Sequence, residues 1–177
     1  MNTQIIIYGS EYGTTKRYAE RLSEITGIEA VSYKEAKDIG NYKRVVYLGG
    51  IFDGGVMGLK NTVGKMTSQQ ELVLATVGMT DPNETTYFEG IRKALKAQLP
   101  ASFYDENKIF HLRGAMDYSR LGFKHRIMMK MFHSMMVKKP ESELTADAKA
   151  MLETYGKQVD FVDFDGLKPI IEIITKS

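Results

Sequence analysis

Within the six residues Ser10-Glu11-Tyr12-Gly13-Thr14-Thr15, four side chains carry hydroxyls and one position is glycine. An apolar run, Ile5-Ile6-Ile7-Tyr8, comes just before, and a helix-period pattern follows. A turn that ends a strand and opens a helix presents unpaired backbone N–H groups and the positive end of the helix dipole, a natural seat for an anion. Ser10, Thr14 and Thr15 can add O–H donors, and Gly13 lets main chain wrap closely. A nucleoside-triphosphate loop ends in Gly-Lys-Ser/Thr, which is absent, and Gly9 and Gly13 do not supply the Gly-x-Gly-x-x-Gly of a dinucleotide site. A phosphoacceptor domain wants an Asp ending the third strand, where this chain has Gly49-Gly50. Two readings remain. The turn holds one terminal phosphate through hydroxyls and amides, or it caps the helix for stability alone.

Two further loops belong at the same edge. Gly49-Gly50-Ile51-Phe52-Asp53-Gly54-Gly55 places four glycines in seven residues, costly in backbone entropy unless main chain must approach a flat ligand or change conformation. Phe52 either stacks on that ligand or plugs the core. Gly78, Met79 and Thr80 form the third loop, Asp81-Pro82 reads as turn chemistry, and Tyr87 faces either the ligand or the first turn of the next helix.

The elements that carry these loops follow from hydrophobic pattern. Ile5–Tyr8, Val45–Leu48, Leu72–Val77 and Ile109–Leu112 are unbroken apolar runs, as expected of strands buried on both faces, and the more polar Ile28–Tyr33 suits an edge strand. Helical stripes lie between them: Thr15, Tyr18, Ala19, Leu22 and Ile25; Val56, Leu59, Val63 and Met66; Phe88, Ile91, Leu95 and Leu99. Gly27 is the expected stop of the first helix, and the link from Lys34 to Lys43 has room for only a short helix. Further helices are expected over about 145–155, with Leu144, Ala148, Met151, Leu152 and Tyr155 on one face and Gly156 ending it, and over 167–175, capped by Asp165. Alternating strands and helices predict an α/β fold: three layers around a five-stranded parallel sheet of flavodoxin-like order 2-1-3-4-5, spanning 1–177 as one domain, with a basic helical insertion over about 115–140. Ligands of such sheets bind beyond the carboxyl ends of the strands, near the switch in strand order.

Composition narrows the chemistry. There is no cysteine among 177 residues, so disulfide, thiolate-metal and dithiol redox functions are excluded, and a redox role requires an organic cofactor. No run of 18 apolar residues occurs, and a strand begins too early for a signal peptide, so a cytoplasmic setting is the expectation. The spacings of His111, His125 and His133, 14 and 8 residues, match no metal motif, so structural or surface roles are expected and no metal. No Ser-His-Asp or Cys-His arrangement is visible, so no catalytic residue is assigned; the cofactor carries the chemistry.

Ser10 to Thr15 resembles the flavodoxin phosphate loop, Thr/Ser-x-Thr/Ser-Gly-x-Thr, which binds the phosphate of FMN; Tyr12 departs from it at the third position. The resemblance implies FMN held by Ser10, Glu11, Tyr12, Gly13, Thr14 and Thr15. It implies a ring framed by Gly50, Ile51, Phe52, Asp53, Gly54 and Gly55, with Gly54 as the peptide that flips, and by Gly78, Met79 and Thr80. Residues 109–132 are similar to the menaquinone-dependent protoporphyrinogen dehydrogenases, with Gly114, Ala115 and Tyr118 matching their Gly-Ala-x-x-Tyr. That resemblance implies an FMN-dependent oxidoreductase passing electrons to a quinone. A diffusible flavodoxin-type carrier without its own substrate is the alternative, and a flavin-free binding module is a third.

The insertion is distinct in charge. Residues 113–139 hold seven Lys or Arg and one Asp, a local +6 in a chain of net +2. On a helical wheel Ile127, Met128, Met131, Phe132 and Met135 form an apolar stripe opposite Arg126, Lys130 and His133. Three uses stand open: the stripe packs on the domain, it lies on an anionic membrane surface at the inner face, or it meets a redox partner protein or a second copy. No nucleic-acid partner is expected.

Overall fold

The structure, a computed structural model, describes residues 3–52 and 55–176. Chain order is β1 (Gln4–Gly9), α1 (Thr14–Thr26), β2 (Ala30–Ser32), β3 (Arg44–Phe52), β4 (Gly55–Val56), α2 (Leu59–Val63), β5 (Glu71–Gly78) and α3 (Thr85–Gln98). There follow β6 (Ile109–Arg113), β7 (Ala115–Asp117), α4 (Phe123–Met136), α5 (Ala146–Thr154), β8 (Gln158–Asp160) and α6 (Lys168–Thr175). The main sheet runs β2-β1-β3-β5-β6, all parallel, which is the expected 2-1-3-4-5 order of parallel strands. β4 folds back antiparallel on the end of β3, and β7 pairs antiparallel with β8 in a small second sheet.

Strand periodicity explains the unbroken apolar runs. Ile5, Ile7, Val45, Tyr47, Leu72 and Leu74 point to one face, under Leu59 and Val63 of α2 and Leu95 of α3. Ile6, Val46, Leu48, Val73 and Ala75 point to the other, under Tyr18 and Leu22 of α1 and Ile170 and Ile174 of α6. The middles of β1, β3 and β5 are therefore unbroken apolar runs because each face has its own core. Tyr18 binds the layers together: its fully buried hydroxyl donates to Arg113 O (2.6 Å) and accepts from Asp163 N–H (3.0 Å).

Several expectations are corrected here. Val56 lies in β4, so the second helix begins only at Leu59. The link over 34–43 holds only a short 3-10 helix, Ile39–Asn41, as expected. Ile25 is 45% exposed, near the end of α1 and outside the buried part of its stripe. Asp165 does not cap the last helix; Asp163 caps the preceding 3-10 turn by accepting from Asp165 N–H (2.9 Å), and the Asp165 carboxylate pairs with Lys168. Gly27 and Gly156 end their helices as expected, at φ 70° and 73°.

The apolar stripe of α4 is divided rather than shared. The side turned to the protein is His125, Met129, Phe132, His133 and Met136, with Met129 buried and the others half-buried. Phe123, Ile127, Met131 and Met135, each four residues apart, are 79%, 45%, 61% and 58% exposed. His133 stacks on Tyr155 with ring centroids 4.0 Å apart. Sequence wheels locate an apolar arc but not its orientation, and where methionines widen that arc the docked side is chosen by the neighbours.

Candidate functional site

The carboxyl ends of the strands are level. Gly9 stands beside Gly49, Gly50 beside Val77, and Gly78 beside Arg113. At this edge opens a cavity of about 900 Å³, near the upper end of the range for small-molecule sites, about 300–1,000 Å³. Its walls take in Ser10 to Thr15, Gly50, Ile51, Phe52, Gly55, Gly78 and Met79. Thr80 is the exception: it is buried, and its hydroxyl points to Asp147 Oδ1 (3.3 Å) rather than into the cavity. Asp53 and Gly54, the peptide expected to flip, lie outside the described residues.

The phosphate-type turn is built from local constraints. Gly13 is in the left-handed region at φ 93°, where a side chain would be strained, and its N–H donates to Ser10 Oγ (3.1 Å). The first backbone bond of α1 is Arg17 N–H to Gly13 O (3.1 Å), so the N–H groups of Thr14, Thr15 and Lys16 precede the helical ladder. No acidic residue stands in that first turn to occupy them. Of the cations on the wall, Arg17 pairs with Asp160 (2.9 Å) and Lys16 with Glu20 (3.5 Å), and Arg120 also lines the cavity. Gly9 keeps the turn seated, because a Cβ there would lie 2.1 Å from Met57 O. Such a turn fits a phosphate held by amides and hydroxyls.

The remaining walls are largely apolar. Phe52 belongs to neither core cluster; it stands on the cavity wall, which removes the core-plug reading. Tyr87 also faces the cavity and donates to Asp147 Oδ1 (3.4 Å); burial, then the Asp147 charge, push its hydroxyl up to about 12. Asp81 is turn chemistry, accepting from Asn83 N–H (2.9 Å). Gly114 hands its N–H to Gly78 O (2.7 Å), and Ala115 O receives the Thr14 hydroxyl (3.4 Å).

Sequence reasoning left several wall residues unassigned. His125, Met128, Met129 and Phe132 come from α4, and Asp147 and Met151 from α5. His125 lies between Tyr12 and Phe52, its ring edge-on to both at 5.6 and 4.9 Å. The departure at Tyr12 pointed toward this partner, since a phenol reaches much farther than the hydroxyl it replaces.

A family model, the flavodoxin domain, matches residues 5–143, more than three quarters of the chain. The chain belongs to the flavodoxin family. Among curated proteins none matches. Among solved structures, oxidised flavodoxin 1 from Bacillus cereus is 10% identical, with 66% of this chain and 87% of that chain covered and a TM-score of 0.41. The metal-soaked Flv1 flavodiiron core from Synechocystis is 17% identical, with 63% and 30% covered and a TM-score of 0.42. The flavodoxin assignment rests on the family match and the edge geometry, not on these distant likenesses. Its cofactor is a flavin, FMN. The free amides of the α1 turn and a cavity of this size with largely apolar walls fit that group. Among the described residues, no helix is long and apolar enough to cross a membrane.

Proposed function

We propose that this flavodoxin-family chain is an FMN-dependent oxidoreductase that passes electrons to a quinone-class acceptor, in the manner of the menaquinone-dependent protoporphyrinogen dehydrogenases it resembles. The observation that supports this reading is the rest of the cavity lining. Besides the cofactor loops, the cavity is lined by Leu121, by Met128, Met129 and Phe132 of α4, by Met151 of α5 and by Tyr87 of α3. Thioethers and aromatic rings adapt to a flat apolar molecule. A carrier that meets only other proteins needs its cofactor edge at an open surface; a compartment walled by an extra helix suits a small partner held beside the flavin.

Ser10, Thr14, Thr15 and the first amides of α1 would hold the phosphate. Gly50–Phe52 and Gly78–Met79 would frame the ring. Bound FMN supplies one- and two-electron transfer. The chain orients it, excludes water with the methionine wall, and places Tyr87 and Asp147 as the polar pair on that wall.

The outward side of α4 supports a place for the exchange. Phe123, Ile127, Met131 and Met135 are presented beside Lys124, Arg126 and Lys130, in the segment that carries the local +6. An anionic membrane surface offers both partners that this side lacks, with about 1 kcal/mol per basic residue near the surface.

The test is stopped-flow reoxidation of the photoreduced protein. A water-soluble menaquinone analogue is expected to reoxidise it saturably and much faster than a one-electron acceptor such as cytochrome c. The reverse order would assign the chain as a diffusible carrier. Sedimentation with vesicles containing anionic lipid is expected to carry down the wild type but less of a Met131→Ser, Met135→Ser variant; equal partition would remove the membrane.

A further inference from the structure

We propose that His125 is a cofactor-positioning residue, which holds Tyr12 of the phosphate turn through Nδ1 and offers Nε2–H to the bound flavin. The proposal rests on the flavin site described above. At the third position of the phosphate motif a short hydroxyl side chain would reach the anion. In this chain the position is Tyr12, and its hydroxyl is already engaged. It accepts from Gly122 N–H (3.3 Å) and is hydrogen-bonded to Nδ1 of His125. In this proposal the phenolic O–H is the donor to Nδ1, while the same oxygen accepts from Gly122. An imidazole that accepts at Nδ1 carries its proton at Nε2.

The consequence for the site is geometric. His125 is on the cavity wall, and no described residue accepts from Nε2. Its ring meets Phe52 at 4.9 Å and 70°, and Tyr12 at 5.6 Å and 75°, so one side chain of the insertion touches both a phosphate-turn residue and a ring-loop residue. The loops come from β1 and β3, and His125 of α4 contacts a residue of each. The helix start that carries His125 is itself pinned, with Leu121 buried and Arg126 Nη2 donating to Ser119 O (2.8 Å). The departure from the phosphate motif therefore has a physical reason. Tyr12 exchanges a direct phosphate contact for a fixed imidazole donor supplied 113 residues later.

The experiment is a double-mutant cycle on FMN binding with Tyr12→Phe and His125→Phe, both of which keep an aromatic ring. Affinity is read by quenching of flavin fluorescence, the visible spectrum of bound FMN is recorded, and apo-protein melting is followed in parallel. Tyr12→Phe is expected to weaken FMN about three- to tenfold, the size of one net hydrogen bond. His125→Phe, which removes both contacts, is expected to weaken it more and to shift the bound flavin spectrum. The double variant is expected to match His125→Phe, because the two positions share one bond. A purely structural histidine would lower apo melting while leaving affinity and spectrum alone, and that outcome overturns the proposal. Wild-type protein that takes up no FMN would overturn the flavin site itself, and the proposal with it.

Discussion

The backbone N–H of Gly13 donates to the hydroxyl of Ser10 across 3.1 Å, closing the turn that precedes α1. The bond fixes the left-handed glycine and aims the following amides outward. Ser10→Ala leaves that N–H without its partner and removes one donor from the anion. FMN affinity is expected to fall about tenfold, while riboflavin, which has no phosphate, loses much less. Parallel fluorescence titrations check this; equal losses for the two flavins would place Ser10 away from the phosphate.

Two glycines behave in opposite ways. A Cβ on Gly9 would meet Met57 O at 2.1 Å, and backbone cannot move aside as a side-chain end does. Gly9→Ala is expected to cost about 3 kcal/mol. Gly90 lies exposed within α3, where a Cβ would have nothing within 4 Å, so Gly90→Ala is expected to stabilise by about 0.5–1 kcal/mol. Urea unfolding of the two variants measures both signs.

His111 gives a pH dependence with a defined window. Burial, then the Arg92 charge, draw its imidazole down to about 4; the ring stacks on Phe88 at 4.1 Å and is hydrogen-bonded to Thr76 (2.7 Å). The unfolded chain takes up this proton near pH 6.5 and the folded chain only near 4. Stability from this group is therefore full above about 6.5, and falls by about 2–3 kcal/mol as pH drops to about 4. Unfolding at pH 7, 5.5 and 4.5 is expected to show that slope in the wild type and a flatter one in His111→Phe, whatever the absolute stabilities.

The orientation of α4 can be read from stability alone. Met129 is 6% exposed and Met131 is 61% exposed. Met129→Ala is expected to cost about 2–4 kcal/mol, and Met131→Ser to stay within about 0.5 kcal/mol. Chemical denaturation decides; similar costs at the two positions would mean the helix docks by another side.

The sheet was legible because doubly buried strands leave unbroken β-branched runs, as at Ile5–Ile7 and Val45–Leu48, and because glycines mark the strand ends at one edge. The phosphate turn was legible from residue types and spacing. What stayed hidden depends on long-range contacts. The two-residue β4 and three-residue β7 and β8 are too short to leave a period. Thr80 belongs to the cavity loop by its neighbours in sequence, but Asp147, 67 residues away, draws its hydroxyl aside. His125 carries no local motif, and its role comes from Tyr12 and Phe52 meeting it in space.

The central claim is that the edge built from Ser10–Thr15, Gly50–Phe52 and Gly78–Met79 holds FMN without a dedicated cation. The most direct measurement is titration of the purified protein with FMN, followed by visible absorbance and thermal melting. The account predicts one FMN per chain, a visible spectrum distinct from that of free FMN, and a melting temperature that rises with ligand, by about 2.7 kcal/mol in stability at 100 times Kd. An unchanged spectrum together with an unchanged melting temperature at saturating FMN would contradict it.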